Sequence, residues 1–242
     1  MVWNQQTVPS DVYSPWKLKA RLRTARGAWR PTATLAQSAS GVLPKVAVDA
    51  RGEALAAWKT QPPSQQAGAR FRPAGLRSVE TRGGRWSTPL RINPSSQDLR
   101  DLDENVEIAV DDAGRATAVW TILQGGVWAA RKPPRGAWGQ AIRLSAAEGY
   151  SDAFPTAAGD GRTIVTWVEH VRGVRTAEAG PGRSWQPAVT LDPAAVASGE
   201  GASPGHEPSV ATAGRQRAIV WTAFEDAPDG GRTVLKAAFA AP

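Results

Sequence analysis

One phrase recurs along this chain and constrains its fold more than any other feature. "VAVDARGEALAAW" (Val46 to Trp58) is an alternating apolar run, a turn carrying Asp and Gly, and a second alternating run closing on Trp. "IAVDDAGRATAVW" (Ile108 to Trp120), "TAAGDGRTIVTW" (Thr156 to Trp167) and "SVATAGRQRAIVW" (Ser209 to Trp221) repeat it with changes. A phrase that returns at intervals is a repeated piece of architecture, and periods of this size belong to solenoids, propellers or arrays.

A second series of Trp sets the period. Trp29, Trp86, Trp138 and Trp185 each follow a Gly/Arg turn, as in "RGAW", "GGRW" and "GRSW", at intervals of 57, 52 and 47 residues. The first series, Trp3, Trp58, Trp120, Trp167 and Trp221, closes the hairpin phrase. Intervals of about 40 to 50 residues match a four-stranded propeller blade. Strand a is "KVAVD", "EIAVD", "TAAG" or "SVATA", with small residues (Ala47, Ala109, Ala158, Ala211) suited to a strand crowded near an axis. Strand b ends on the first Trp. Strand c bears Arg, as in "LRSVETR" and "VRTAEA", and strand d follows the second Trp. Asp and Gly in the a–b turn, at Asp49/Gly52, Asp111/Gly114 and Asp160/Gly161, supply a side-chain hydrogen bond and a left-handed residue for a tight hairpin.

Short alternating strands, Gly at the turns and no helical period over ten or more residues predict an all-β chain, a β-propeller of four-stranded antiparallel blades. About five units fit one repeat domain over 1–242, with bounds near 1–38, 39–93, 94–145, 146–192 and 193–242. The first unit lacks an a strand and the last lacks a d strand. The set is therefore either an imperfectly closed five-bladed ring or part of a larger six- or seven-bladed one. The equivalent Trp are expected to pack between blades, since an aromatic buries roughly 150 to 250 Å²; Trp16 and Trp128 lie outside both series.

The formal charge of +7 raises the question of a polyanionic partner. Single Arg spread along the chain, with no Lys/Arg run and no interleaved stacking aromatics, predict instead a solvated surface and no nucleic-acid partner. With no Cys there is neither a disulfide nor a thiolate metal site. No apolar run reaches membrane-spanning length, and the N-terminal stretch lacks the pattern of a secretory signal.

"GGRWSTPLRI" and "PGRSWQPAVTL" resemble the bacterial neuraminidase repeats, or Asp-boxes, of the sialidase-like propeller superfamily. Only the Gly-x-Trp half of the Ser-x-Asp-x-Gly-x-Thr-Trp motif is present, so the repeats are degenerate. The resemblance implies a propeller acting in the extracellular space or cell envelope of a bacterium. It transfers no catalytic residue. The family's Phe-Arg-Ile-Pro motif is missing, "Phe71-Arg72-Pro73" lacking the Ile, and the chain has only two Tyr, Tyr13 and Tyr150.

In such a fold the d–a and b–c loops share one face, and here that face holds both His of the chain. The d–a loops supply Asp103 and Glu104, then Tyr150 and Asp152, then His206 and Glu207; the b–c loops supply Glu169, His170 and Arg172, then Glu225. These are the ligand-binding candidates. Glu169 and His170 are adjacent and on a strand point to opposite faces, so "VEH" is no metal motif, and no metal or other cofactor is expected. Two functions fit. The first is a non-catalytic binding or scaffold module recognising a carbohydrate or protein through this face; the second is a glycoside hydrolase or lyase using its carboxylates, with Tyr150 and Arg172 assisting. The opposite face, with its short Arg-bearing turns, is expected to be solvated scaffold.

Overall fold

The computed structural model describes residues 1–6, 16–38, 44–60, 75–97, 99, 102–122, 125–145, 153–157, 161–169, 173–193, 208–213, 216–225 and 232–240. Among them there are strands and turns and no helix. The strands form five small antiparallel sheets in chain order. Sheet one is β1 (Val2–Gln6), β2 (Trp16–Ala20) and β3 (Ala33–Ser38). Sheet two is β4 (Lys45–Val48), β5 (Ala54–Thr60) and β6 (Gly75–Arg82), with β7 (Arg85–Trp86) and β8 (Leu90–Arg91) both pairing β6. Sheet three is β9 (Leu102–Val110), β10 (Ala116–Ile122), β11 (Gly126–Lys132) and β12 (Ile142–Arg143). Sheet four is β13 (Ala153–Ala157), β14 (Thr163–Glu169), β15 (Gly173–Ala179) and β16 (Val189–Asp192). Sheet five is β17 (Ser209–Ala213), β18 (Gln216–Glu225) and β19 (Arg232–Ala240).

Sheets two to four carry the expected a-b-c-d order, sheet one has b, c and d, and sheet five has a, b and c. The a strands of successive sheets lie beside one another, β4 with β9, β9 with β13, and β13 with β17. That succession is the inner wall of a propeller-like array, but among the described residues it does not close into a ring. Position in the array decides how crowded an a strand is. Ala109, in a sheet flanked on both sides, is buried, whereas Ala211 of the fifth sheet is exposed.

One apolar cluster fills each seam between consecutive sheets, and each contains a b-strand Trp. Trp58 packs with Leu18, Ala20 and Leu35 of sheet one; Trp120 with Ala57, Leu76 and Ile92 of sheet two; Trp167 with Val119, Val127 and Ala129 of sheet three; Trp221 with Val174 of sheet four. A b strand is buried on both faces because it is covered by a sheet on each side, and β5 and β10 are buried at six consecutive positions. The second series packs at the same seams, with Trp86, Trp138 and Trp185 half-buried. Trp29 has no described sheet before it and is 44% exposed, with the Arg21 and Arg23 guanidinium carbons 5.7 and 5.9 Å from the centre of its ring.

The a–b turns have the expected chemistry. Asp49 Oδ1 accepts from the Arg51 and Glu53 amides, both at 2.9 Å, and Gly52 follows with φ of 78°. Asp111 Oδ1 accepts from the Ala113 and Arg115 amides at 3.0 and 2.8 Å, with Gly114 at φ 83°. Gly161 has φ of 83°; Asp160 lies outside the described residues. Basic side chains then staple the turn edge across later seams. Arg51 donates to the Ala113 carbonyl, Lys132 to Glu80, Arg131 to the Gly161 and Gly180 carbonyls, and Arg217 to Glu178.

Candidate functional site

The edge opposite those turns is built from the ends of b and d strands and the starts of a and c strands. The backbone brings Asp103 and Glu104, near the start of β9, to the same edge as Glu169 at the end of β14 and Glu225 at the end of β18. Glu225 pairs with Arg232 in the register of β18 and β19. Tyr150, Asp152, His170, Arg172, His206 and Glu207 lie outside the described residues.

Under the loops the d strands of sheets two to four each lead into a buried polar residue seven positions after the Trp, namely Asn93, Ser145 and Asp192, whereas sheet one has Ala36 there. Asn93 Oδ1 accepts from the Leu76 amide at 2.8 Å, and its Nδ2 donates to the Pro94 and Gln97 carbonyls at 3.1 and 3.2 Å, so it shapes the start of the loop that leads to β9. Ser145 and Asp192 reach the next sheet. Asp192 Oδ2 accepts from Trp221 Nε1 at 3.0 Å and pairs with Lys236 at 3.1 Å.

Glu169 is the candidate that the structure resolves in most detail. It is the last residue of β14 and is fully buried, a correction to its expected place on an open rim. The physical reason lies in strand geometry: Trp167 and Glu169 are two apart, share one face, and that face packs on sheet three. Glu169 Oε1 accepts from Trp167 Nε1 at 2.9 Å and from the Ser145 hydroxyl. Arg175 Nη1 stands 3.2 Å from both carboxylate oxygens, and its guanidinium also lies 5.9 Å from the Trp167 ring. Burial pushes the carboxyl pKa up, but the Ser145 and Trp167 hydrogen bonds and the Arg175 charge outweigh it and hold the group below the ordinary glutamate range. This is a fixed, neutralised anion. It ties the end of one d strand to the end of the next b strand, and so fixes the two points, Ser145 and Glu169, from which the chain continues toward Tyr150 and Asp152 and toward His170 and Arg172.

Sequence reasoning missed Ser145, Arg175 and Asp192. The polar residue seven after Trp86, Trp138 and Trp185 was an available signal. Glycine at the head of strand c was another: a Cβ on Gly126 would lie 2.1 Å from the Ser145 carbonyl oxygen, and one on Gly173 1.8 Å from that of Asp192. Among the described residues no group of His, Cys, Asp or Glu could hold a metal ion, and no helix is long and apolar enough to cross a membrane.

The sequence matches no protein-family model and no curated protein. Solved structures with a similar course of chain include the Hadza microbial sialidase Hz136, at 10% identity and a TM-score of 0.47, covering 95% of this chain and 53% of that one. The K499G mutant of NanB sialidase from Streptococcus pneumoniae aligns at 8% identity and a TM-score of 0.49 over 85% of this chain and 32% of its own. TolB from Acinetobacter baumannii aligns at 12% identity and a TM-score of 0.44, over 97% and 51%. The chain thus spans about half of the Hz136 sialidase and a third of NanB.

Proposed function

We propose that this chain is a non-catalytic propeller module that recognises a carbohydrate or a protein through its d–a and b–c loop face, acting in the extracellular space or cell envelope. The observation that carries this reading is the state of Glu169. A carboxylate meant for general acid or base work has a pKa near the operating pH and reaches a substrate. Glu169 is buried, depressed and committed to Arg175, Trp167 and Ser145, which suits the foundation of a recognition surface.

A glycan array tests the reading, with the unmodified chain and the pair His170→Ala and Glu207→Ala, which leaves the Glu169 anchor intact. Binding to a defined glycan that the pair abolishes, at an unchanged melting temperature, supports it. Hydrolysis of an arrayed glycan by the unmodified chain replaces it with the hydrolase reading.

A further inference from the structure

The turn edge carries a groove at the seam of sheets one and two. Its larger part, about 720 Å³, is lined by Arg23, Arg30 and Arg51 with Thr24, Glu53 and Gly84. A continuation of about 510 Å³ shares Arg30 and Gly84 and adds Arg85, Ser87 and Thr88. Arg30 lies across the bare backbone of Gly84, where a Cβ would come within 2.5 Å of the guanidinium carbon. It therefore sits at the junction of the two parts.

Three features set this seam apart. First, every later seam is stapled on its turn edge by a basic side chain bonding to the next sheet, whereas here, among the described residues, no hydrogen bond or ion pair crosses. The cations that would do so face the groove. Second, the charge excess of the whole chain is concentrated beside it. Residues 16–38 hold Lys17, Lys19, Arg21, Arg23, Arg26 and Arg30 and no Asp or Glu, against a net +7 for all 242 residues. Sequence inspection, which saw only scattered single Arg, missed this because the clustering lies in the lack of acids. Third, among the described residues Glu53 is the one acid on the groove lining, its carboxylate 3.9 Å from Arg135 on the far side, and the nearby Asp49 is taken up by Arg51.

We propose that this groove binds an acidic oligosaccharide, its anionic groups held by Arg23, Arg30 and Arg85, while Arg51, paired with Asp49 and bonded to the Ala113 carbonyl, forms one wall. Guanidinium forks pair with carboxylate or sulfate oxygens in two parallel bonds, and the hydroxyls of Thr24, Ser87 and Thr88 offer partners for sugar hydroxyls. A single-stranded nucleic acid wants open aromatic faces for its bases. The aromatic on the described lining, Trp86, is half-buried against the seam core, and Trp29 stands beneath Arg21 and Arg23. This site is on the edge opposite the loop face and stands or falls independently of it.

Isothermal titration of the full chain tests it with an oligogalacturonate, a heparin-derived hexasaccharide, a neutral dextran oligomer and oligo(dT). Saturable binding to at least one acidic sugar is expected, weakening as salt screens the contacts, with no heat from dextran. Comparing the first two probes tells carboxylate from sulfate preference. Arg30→Gln with Arg85→Gln removes two guanidiniums that bond to no described residue, so the melting temperature holds while affinity falls about tenfold or more, the scale of lost charge-assisted bonds. The charge-matched control Arg183→Gln with Arg232→Gln, at exposed positions of sheets four and five outside the described groove lining, changes affinity less than about twofold. The proposal is overturned if no acidic sugar binds, if the Arg30/Arg85 variant binds as well as its control, or if oligo(dT) binds as tightly as the sugars.

Discussion

Trp167 and Glu169, two residues apart on one strand, form a hydrogen bond of 2.9 Å between the indole Nε1 and the carboxylate Oε1, wholly out of contact with water. The equivalent Trp58 and Trp120 have no hydrogen-bond partner for Nε1 among the described residues, and Trp221 finds Asp192 on the neighbouring sheet. The same packing position is therefore dry in sheets two and three and polar in four and five.

Removing Glu169 leaves Arg175 largely buried and without its ion-pair partner among the described residues. Breaking a buried pair from one side costs about 3 to 5 kcal/mol, so Glu169→Ala is expected to lose stability on that scale in equilibrium urea unfolding. Glu169→Leu with Arg175→Met, which removes both charges and keeps volume, should recover most of the loss. Equal destabilisation by the single and double changes would mean that the pair is not coupled.

The depressed carboxyl pKa values of Glu169, Glu80 and Asp49 set the acid limit of the fold. In each, burial raises the pKa, and hydrogen bonds and basic neighbours (Arg175, Lys132 and Arg82, Arg51) lower it further than burial raises it. A carboxyl held lower in the folded state than in the unfolded chain contributes stability above its unfolded value, and that contribution is lost as pH falls through the folded one. Melting temperature should thus be flat above the ordinary glutamate value of 4.5 and decline progressively below it. Glu169→Gln should start lower at neutral pH and decline less steeply. A parallel decline would remove Glu169 from the cause.

The two Trp series differ in burial although their sequence signals are alike. Trp120 is 1% exposed and Trp29 44%. Trp120→Ala should cost about 3 to 5 kcal/mol as a large-to-small core change, and Trp29→Ala less than about 1 kcal/mol, as a surface substitution with few packed neighbours. Denaturation curves of the two variants decide it, and similar losses would show that Trp29 is covered in solution.

How much of this was legible follows from where each interaction closes. The strand pattern, the a–b turn of Asp49 and Gly52, and the core role of Trp58, Trp120 and Trp167 all rest on residues within one repeat phrase, so local alternation and turn chemistry expose them. Ser145 to Glu169 spans 24 residues and two sheets, and Arg131 to Gly180 spans 49. No local pattern encodes such pairs, because they arise only when one sheet stacks on the next. Glu169 itself was half legible: its type and position at the end of a Trp strand were visible, and two-residue alternation with Trp167 should have turned it inward. Tyr150, His170 and Glu207 lie in stretches of sequence without a repeat pattern, and their part in recognition is a matter for the array experiment.

Two glycines with positive φ separate strain from steric exclusion. Gly52, in the first a–b turn, has φ of 78°, and a Cβ placed there would meet nothing within 4 Å, so Gly52→Ala meets only the left-handed backbone penalty, roughly 1 to 2 kcal/mol. Gly173 has nearly the same φ, 75°, but its Cβ would stand 1.8 Å from the Asp192 carbonyl oxygen and 3.0 Å from Pro193 Cα, all backbone atoms that cannot rotate away. Gly173→Ala must separate the start of β15 from the end of β16, disturbing the seat of Asp192 and with it the bond to Trp221. It should therefore be destabilised by more than Gly52→Ala, and the Trp221 indole N–H resonance, read in a proton–nitrogen correlation spectrum, should shift as its partner Asp192 moves. Equal losses from the two substitutions would mean that the d strand yields freely, and that the glycine at the head of strand c serves the turn alone.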